Sequence, residues 1–114
     1  MTNDYYTIST RPATASADGV VTARVELAGS FDIGTRDELQ DALLEVVEAG
    51  AGDRIIVDLG EVRFIDSEAL SALIQGYLAA ERAGIVLRLA KPVGIVARVI
   101  NVIGLDHLLD SPAG

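Results

Sequence analysis

The sequence predicts an α/β domain with a mixed, mostly parallel central β-sheet, an antiparallel N-terminal edge hairpin and three main helices packed on it. Half of the 114 residues are apolar, enough for one modest core. Stretches of period 2 and period 3.6 follow one another as strand, strand, helix, strand, helix, strand, helix, an alternation that favours parallel strands joined by crossover helices. The first two strands are joined by a short turn, which only antiparallel pairing permits. One domain over 1–114 is expected, with its core at about 6–109 and loosely ordered termini.

Tyr5 to Thr10 is strand-like, and Val20 to Leu27 alternates as its hairpin partner, with Val21, Ala23, Val25 and Leu27 on one face. Asp18-Gly19 supplies the turn, and the preceding RPATASA is the most loop-like stretch. Thr35 to Glu38 has the form of a capping box, and Leu39, Ala42, Leu43, Val46 and Val47 draw the buried stripe of the first helix, ended by Gly50 and Gly52. A central strand follows at Arg54 to Asp58, closed by the punctuation of Asp58 to Gly60. The second helix runs from Glu68 to Ala83 and the next strand from Ile85 to Ala90. Pro92 opens a third helix in which Ile95, Val96, Val99 and Val102-Ile103 pack and which Gly104 closes. Only a short turn is expected from Leu105 on, and Ser111 to Gly114 should fray.

The most informative stretch is RIIVDLGEVRFIDSEALSA, Arg54 to Ala72. Phe64-Ile65 form a last apolar pair before Asp66, and Leu70, Leu73, Ile74, Tyr77 and Leu78 then fall on one helical stripe, which makes Ser67 the expected N-cap. A hydroxyl at a helix start lies beside unpaired N–H groups and the positive end of the helix dipole, where added phosphate is tolerated. Ser67 is therefore either a cap alone or a cap that also serves as a switch. Asp32, on the loop before the first helix, is either a turn former or part of the same site. Glu68 could raise the cost of phosphoryl transfer to its neighbour, imitate phosphate, or simply place a favourable acid in a first helical turn. The outer face of the second helix, with Glu68, Ser71, Gln75 and Arg82 and with Ala72, Ala79 and Ala80 nearby, would let a partner approach closely.

Composition excludes several chemistries. There is no cysteine and one histidine, His107, too few ligands for a zinc site or a histidine-based triad. His107 reads as a surface or helix-end residue, and Tyr77 as core. Leu105, Leu108 and Leu109 either cover the end of the core or offer a docking patch. A net charge of -8, with one lysine and eight arginines, would repel a phosphate backbone, so direct nucleic-acid binding is disfavoured. No apolar run approaches the ~18 residues of a membrane span, and the N-terminal MTNDYYTIST lacks the features of an export signal, so a cytoplasmic location without membrane insertion is expected.

The segment PhexAspSer before an apolar helix, following a strand of the IIVDL type, resembles the signature of the STAS domain, the fold of bacterial anti-sigma factor antagonists. Gly29-Ser30-Phe31-Asp32 is similar to the Gly-Glu-Leu-Asp after that family's second strand, and Ile103-Gly104-Leu105-Asp106 to its late Thr-Gly-Leu-Asp. The resemblance runs from about Tyr6 to Leu109. It implies that Ser67 is the residue phosphorylated by an anti-sigma factor that is itself an ATP-dependent serine kinase, that Asp32 helps position the hydroxyl or the kinase nucleotide, and that Asp66, Glu68, Ser71 and Gln75 neighbour the site or meet the partner. It further implies that the unmodified form binds the anti-sigma factor and frees a sigma factor, that phosphorylation ends the binding, and that a metal-dependent serine phosphatase resets it. The chain departs from the family where a second Ser or Thr and then Gly commonly follow the serine; here stand Glu68 and Ala69, the latter stiffening the helix start.

The expected function is thus a non-enzymatic transcription regulator of the stress-response kind, with no catalytic residue, metal or cofactor of its own; a homodimer stays open. The alternative is a constitutive STAS scaffold in a larger stress-signalling assembly or lipid-transport machine. An enzyme or small-ligand binder at the start of the second helix lacks support: no nucleophile-base pair, metal cluster or glycine-rich phosphate loop accompanies it.

Overall fold

The computed structural model describes residues 6–50 and 52–109, and Tyr6, the first of them, is already paired with Gly29. The expected strand start at Tyr5, the loose termini and the fraying of Ser111 to Gly114 lie outside those residues. The order is β1 (Tyr6–Ala15), β2 (Val21–Phe31), α1 (Arg36–Ala49), β3 (Arg54–Ile65), α2 (Ser67–Arg82), β4 (Val86–Ala90) and α3 (Gly94–Ile103), then a 3-10 turn at Asp106–Leu108. The sheet runs β1-β2-β3-β4, antiparallel between β1 and β2 and parallel elsewhere, as the element order predicts.

One face of the sheet supplies the core. Val25 of β2, Val57 of β3 and Leu89 of β4 lie in register and are fully buried, joined by Leu39 and Leu43 of α1, Leu70 and Leu73 of α2 and Val96 and Ile100 of α3. Alternation turns Arg24, Glu26 and Asp58 the other way. There Arg24 holds Asp58 at 2.8 Å, Lys91 approaches the same carboxylate at 3.7 Å and Arg11 meets Glu26 at 3.1 Å. Burial pushes the Asp58 carboxyl up, but the Gly60 N–H, Arg24 and Lys91 together outweigh it and hold it below its ordinary value.

Three strands are longer than their sequence patterns suggest, β2 by running on from Leu27 to Phe31. Most of RPATASA is strand and not loop: β1 continues to Ala15, with the pairing irregular between Arg11 and Thr14, and only Ser16 and Ala17 belong to the turn. Pro12 falls in that irregularity on the edge strand, where its missing N–H costs no ladder bond. Asp58-Gly60 does not end β3 either. The Asp58 carboxylate accepts the Gly60 N–H at 2.9 Å, and the register slips once there and again near Arg63, so that Asp58 and Glu61 oppose Glu26 and Ala28, and Val62 and Phe64 oppose Gly29 and Ser30. Each slip adds one residue and shifts the inward face. Leu59, Val62 and Ile65 are consequently buried at intervals of three, and Phe64, read as one of a packed pair, stands 44% exposed.

The helices correct the sequence reading in four places. The capping box of α1 does not form: Thr35, buried and in helical conformation, accepts the Asp32 N–H and donates to the Asp32 carbonyl, while Glu38 accepts the Tyr6 hydroxyl. Gly50 and Gly104 do end α1 and α3, each in the left-handed region. The buried side of α2 is Ala69, Leu70, Ala72, Leu73, Gly76 and Ala80, with Ile74, Tyr77 and Leu78 half-buried. At Gly76 a Cβ would come within 2.8 Å of Leu43 Cδ1, so α1 occupies the small-residue side of α2, and Ala72 and Ala80 are not open to a partner. In α3, Val96 and Ile100 are buried while Ile95, Val102 and Ile103 are exposed, because ten residues can turn only one such stripe inward. Leu108 is buried and Leu109 bridges to Leu89 of β4, so the C-terminal leucines cover the end of the core.

Candidate functional site

The site grows from the pairing of β2 with β3. Phe31 and Ile65 are their last paired residues, and the Asp66 N–H donates to the Phe31 carbonyl at 3.1 Å. Both strands are parallel and both run into helices, so the starts of α1 and α2 emerge side by side at one edge of the sheet. Asp32 follows one strand end and Asp66-Ser67 the other, as the sequence suggests.

Local bonding then assigns the roles. Asp66, not Ser67, is the N-cap of α2: its backbone is extended and its carboxylate accepts the Ala69 N–H at 2.9 Å. Ser67 is the first helical residue and is exposed. Aspartate and serine are comparable caps, and the residue pairing back to Phe31 is the one held in the extended geometry that a cap needs. With the capping bond made by Asp66, the Ser67 hydroxyl is left at the surface beside the free N–H groups of the first turn.

Glu68 is held by a residue that the sequence reading missed. Arg36, the first residue of α1, donates from Nη1 to Glu68 Oε1 at 2.7 Å and approaches its own neighbour Asp37 at 3.3 Å. The Glu68 carboxylate, then Asp37, raise the guanidinium further above its ordinary value. Opposite charges in the first turns of two helices that follow adjacent parallel strands are the signal that would have found this pair. Asp32 acts locally as a turn former: its carboxylate accepts the Gly34 N–H at 2.9 Å, and its carbonyl accepts the Thr35 N–H at 3.0 Å. Ser71 and Gln75 are exposed on α2, whereas Tyr77 packs against the core with its ring edge-on to exposed His107. Two exposed apolar side chains accompany the loop and strand that lead to this edge: Ile33, which the sequence reading missed, 64% exposed on the loop after Asp32, and Phe64, which it read as packed. Among the described residues no cluster of acidic or histidine side chains could hold a metal ion.

The fold has counterparts. The model of the family described as "Mlab, STAS domain" matches residues 15–110. The chain belongs to the STAS domain family. SpoIIAA, an anti-sigma factor antagonist, in its unphosphorylated form superimposes with a TM-score of 0.75 at 18% identity, over 91% of this chain and 86% of that one. The phosphorylated form of SpoIIAA, a cell fate determinant of Bacillus, gives a TM-score of 0.69 at 17% identity, over 91% and 89%. A sulfate transporter family protein from Wolinella succinogenes gives 0.66 at 23% identity, over 85% and 75%. At these identities the likeness is one of fold. No curated protein matches the chain. Among the described residues no helix of this STAS domain is long and apolar enough to cross a membrane.

Proposed function

We propose that this STAS domain is an anti-sigma factor antagonist, a non-enzymatic regulator whose binding to an anti-sigma factor kinase is set by phosphorylation of Ser67. The observation that carries the reading is the exposed Ser67 at the first position of α2, its capping duty taken by Asp66. In the transfer, Ser67 Oγ forms a bond to the γ-phosphorus of ATP held by the partner, the bond from that phosphorus to the β,γ-bridging oxygen breaks, ADP leaves, and the hydroxyl proton passes to a base of the partner. A phosphatase returns the hydroxyl by hydrolysis: water bonds to the phosphorus, the bond from phosphorus to Ser67 Oγ breaks, Oγ takes a proton and inorganic phosphate leaves.

The modification adds about -1.5 to -2 charges. The start of α2 tolerates them, so the fold should persist, whereas a partner surface fitted to a neutral hydroxyl and to exposed Ile33 and Phe64 would meet a doubly charged group and lose affinity. Sigma-factor release and the direction of control belong to the same proposal, supported by the fold shared with SpoIIAA in its two forms.

A second reading is a constitutive scaffold within a larger complex. The sulfate transporter relative supports it, since the same fold there is found in a transport protein family. Intact-mass analysis of the protein recovered from its native cells, with peptide mapping of Phe64 to Arg82 and a Ser67→Ala control, separates the two. Phosphate on Ser67, absent in the control and accompanied by partner release, supports the switch. An unmodified segment through growth and stress, with partners retained equally by wild type and Ser67→Ala, selects the scaffold.

A further inference from the structure

We propose that Arg36 receives the phosphate of phosphorylated Ser67, leaving Glu68, and so rewires the link between α1 and α2 when the switch is thrown. This rests on the reading of Ser67 as the phosphosite. The guanidinium already crosses from the first residue of α1 to the second residue of α2 at 2.7 Å. Ser67 is the immediate neighbour of the carboxylate it grips, one Cα step of about 3.8 Å away. The exchange is a rotation of the Arg36 side chain from one residue of the first turn of α2 to its neighbour, and a guanidinium that is 38% exposed beside a carboxylate that is 44% exposed has room to turn.

The dianion should win the exchange. Both acceptors are oxygens of comparable geometry, but phosphate carries nearly twice the charge and offers three of them, and arginine's planar fork suits it bidentately. The acids near the site, Asp32, Asp37, Asp66 and Glu68, oppose the phosphate, and Arg36 adds to the free N–H groups and the dipole of the α2 start that offset them. Glu68, in place of the small residue common in the family, then has a purpose in the unmodified state. It keeps Arg36 parked one residue from the acceptor, and on modification it is released as a second new negative charge on the partner-facing edge. Arg36 is accordingly a positioning residue of the switch, not a group that takes part in phosphoryl transfer.

The test uses the full chain with phosphoserine installed at position 67 by genetic encoding, so that it does not depend on whether cells modify Ser67; the mass analysis above decides that. The second ionisation of the phosphate is titrated by 31P NMR in the parent, in Arg36→Gln, in Arg36→Lys and in Arg82→Gln. Arg82 lies at the other end of α2, so its variant makes the same charge change roughly 22 Å away. Arg36→Gln is expected to raise the phosphate pKa by roughly half a unit or more over the parent, with Arg36→Lys between them and Arg82→Gln at the parent value. A titration curve unchanged by either substitution at Arg36, or one moved equally by Arg82→Gln, overturns the proposal.

Discussion

The Asp66 N–H donates to the Phe31 carbonyl at 3.1 Å, which joins the strand end leading to Asp32 and the helix start bearing Ser67 into one hydrogen-bonded unit. Because the same residue also caps α2 through its carboxylate, Asp66 fixes where the helix begins and hence which side chain occupies its first exposed position.

Asp66→Ala should therefore destabilise the domain by about 1 kcal/mol, a fall in melting temperature of about 4 °C, whereas Ser67→Ala should stay within about 0.5 kcal/mol of wild type. Urea denaturation of the two variants decides the matter. Equal losses would return the capping role to Ser67.

Gly76 faces Leu43, with Cδ1 at 2.8 Å and Cβ at 3.0 Å from where a Cβ would stand. The nearer atom can rotate away, but the Leu43 Cβ moves only with α1. Gly76→Val is expected to cost about 1–3 kcal/mol by overpacking, and Leu43→Ala in the same chain should recover part of it. Simple additivity in that double-mutant cycle would mean that the two helices do not touch there.

Asp58 carries the clearest pH signature. Its folded pKa lies below the ordinary 3.8, so the stability that it contributes is fully present above that value and is lost as pH falls through the lower, folded one. Asp58→Asn should cost about 1–2 kcal/mol near neutrality, and the gap to wild type should close only below the ordinary carboxylate range. A gap that stayed constant down to strongly acid pH would contradict the ion-paired assignment.

Element order was legible because it depends on periodicity, and α1, β4 and the glycine ends of α1 and α3 follow the pattern closely. The remainder hinged on tertiary choices that local pattern does not encode. Asp58-Gly60 has the composition of a turn, yet parallel pairing with β2 carries the chain through it as a bulge. Asp66 and Ser67 are both competent caps, and the bond to Phe31 selects between them. Ile95, Val102 and Ile103 are apolar enough for a core, but the face of α3 that meets the sheet is set by Val96 and Ile100. The Arg36–Glu68 pair joins residues 32 positions apart and becomes visible only once β2 and β3 are neighbours.

Ile33 offers the last prediction, one about the partner surface of the proposed switch. It is 64% exposed beside Asp32, and the adjoining turn is held by bonds among Asp32, Gly34 and Thr35 in which the Ile33 side chain has no part. An apolar side chain kept at the surface by an ordered turn contributes little to folding, so Ile33→Ser should leave the urea midpoint within about 0.5 kcal/mol of wild type. If the partner seats on this edge, burying that side chain should be worth more than 1 kcal/mol, and the same substitution should weaken binding by about fivefold or more. Surface-based affinity measurement with the protein that co-purifies with the unphosphorylated chain, beside an exposed control change such as Val102→Ser on α3, reads both effects. Loss of affinity in the control alone would move the interface from the Ser67 edge to α3.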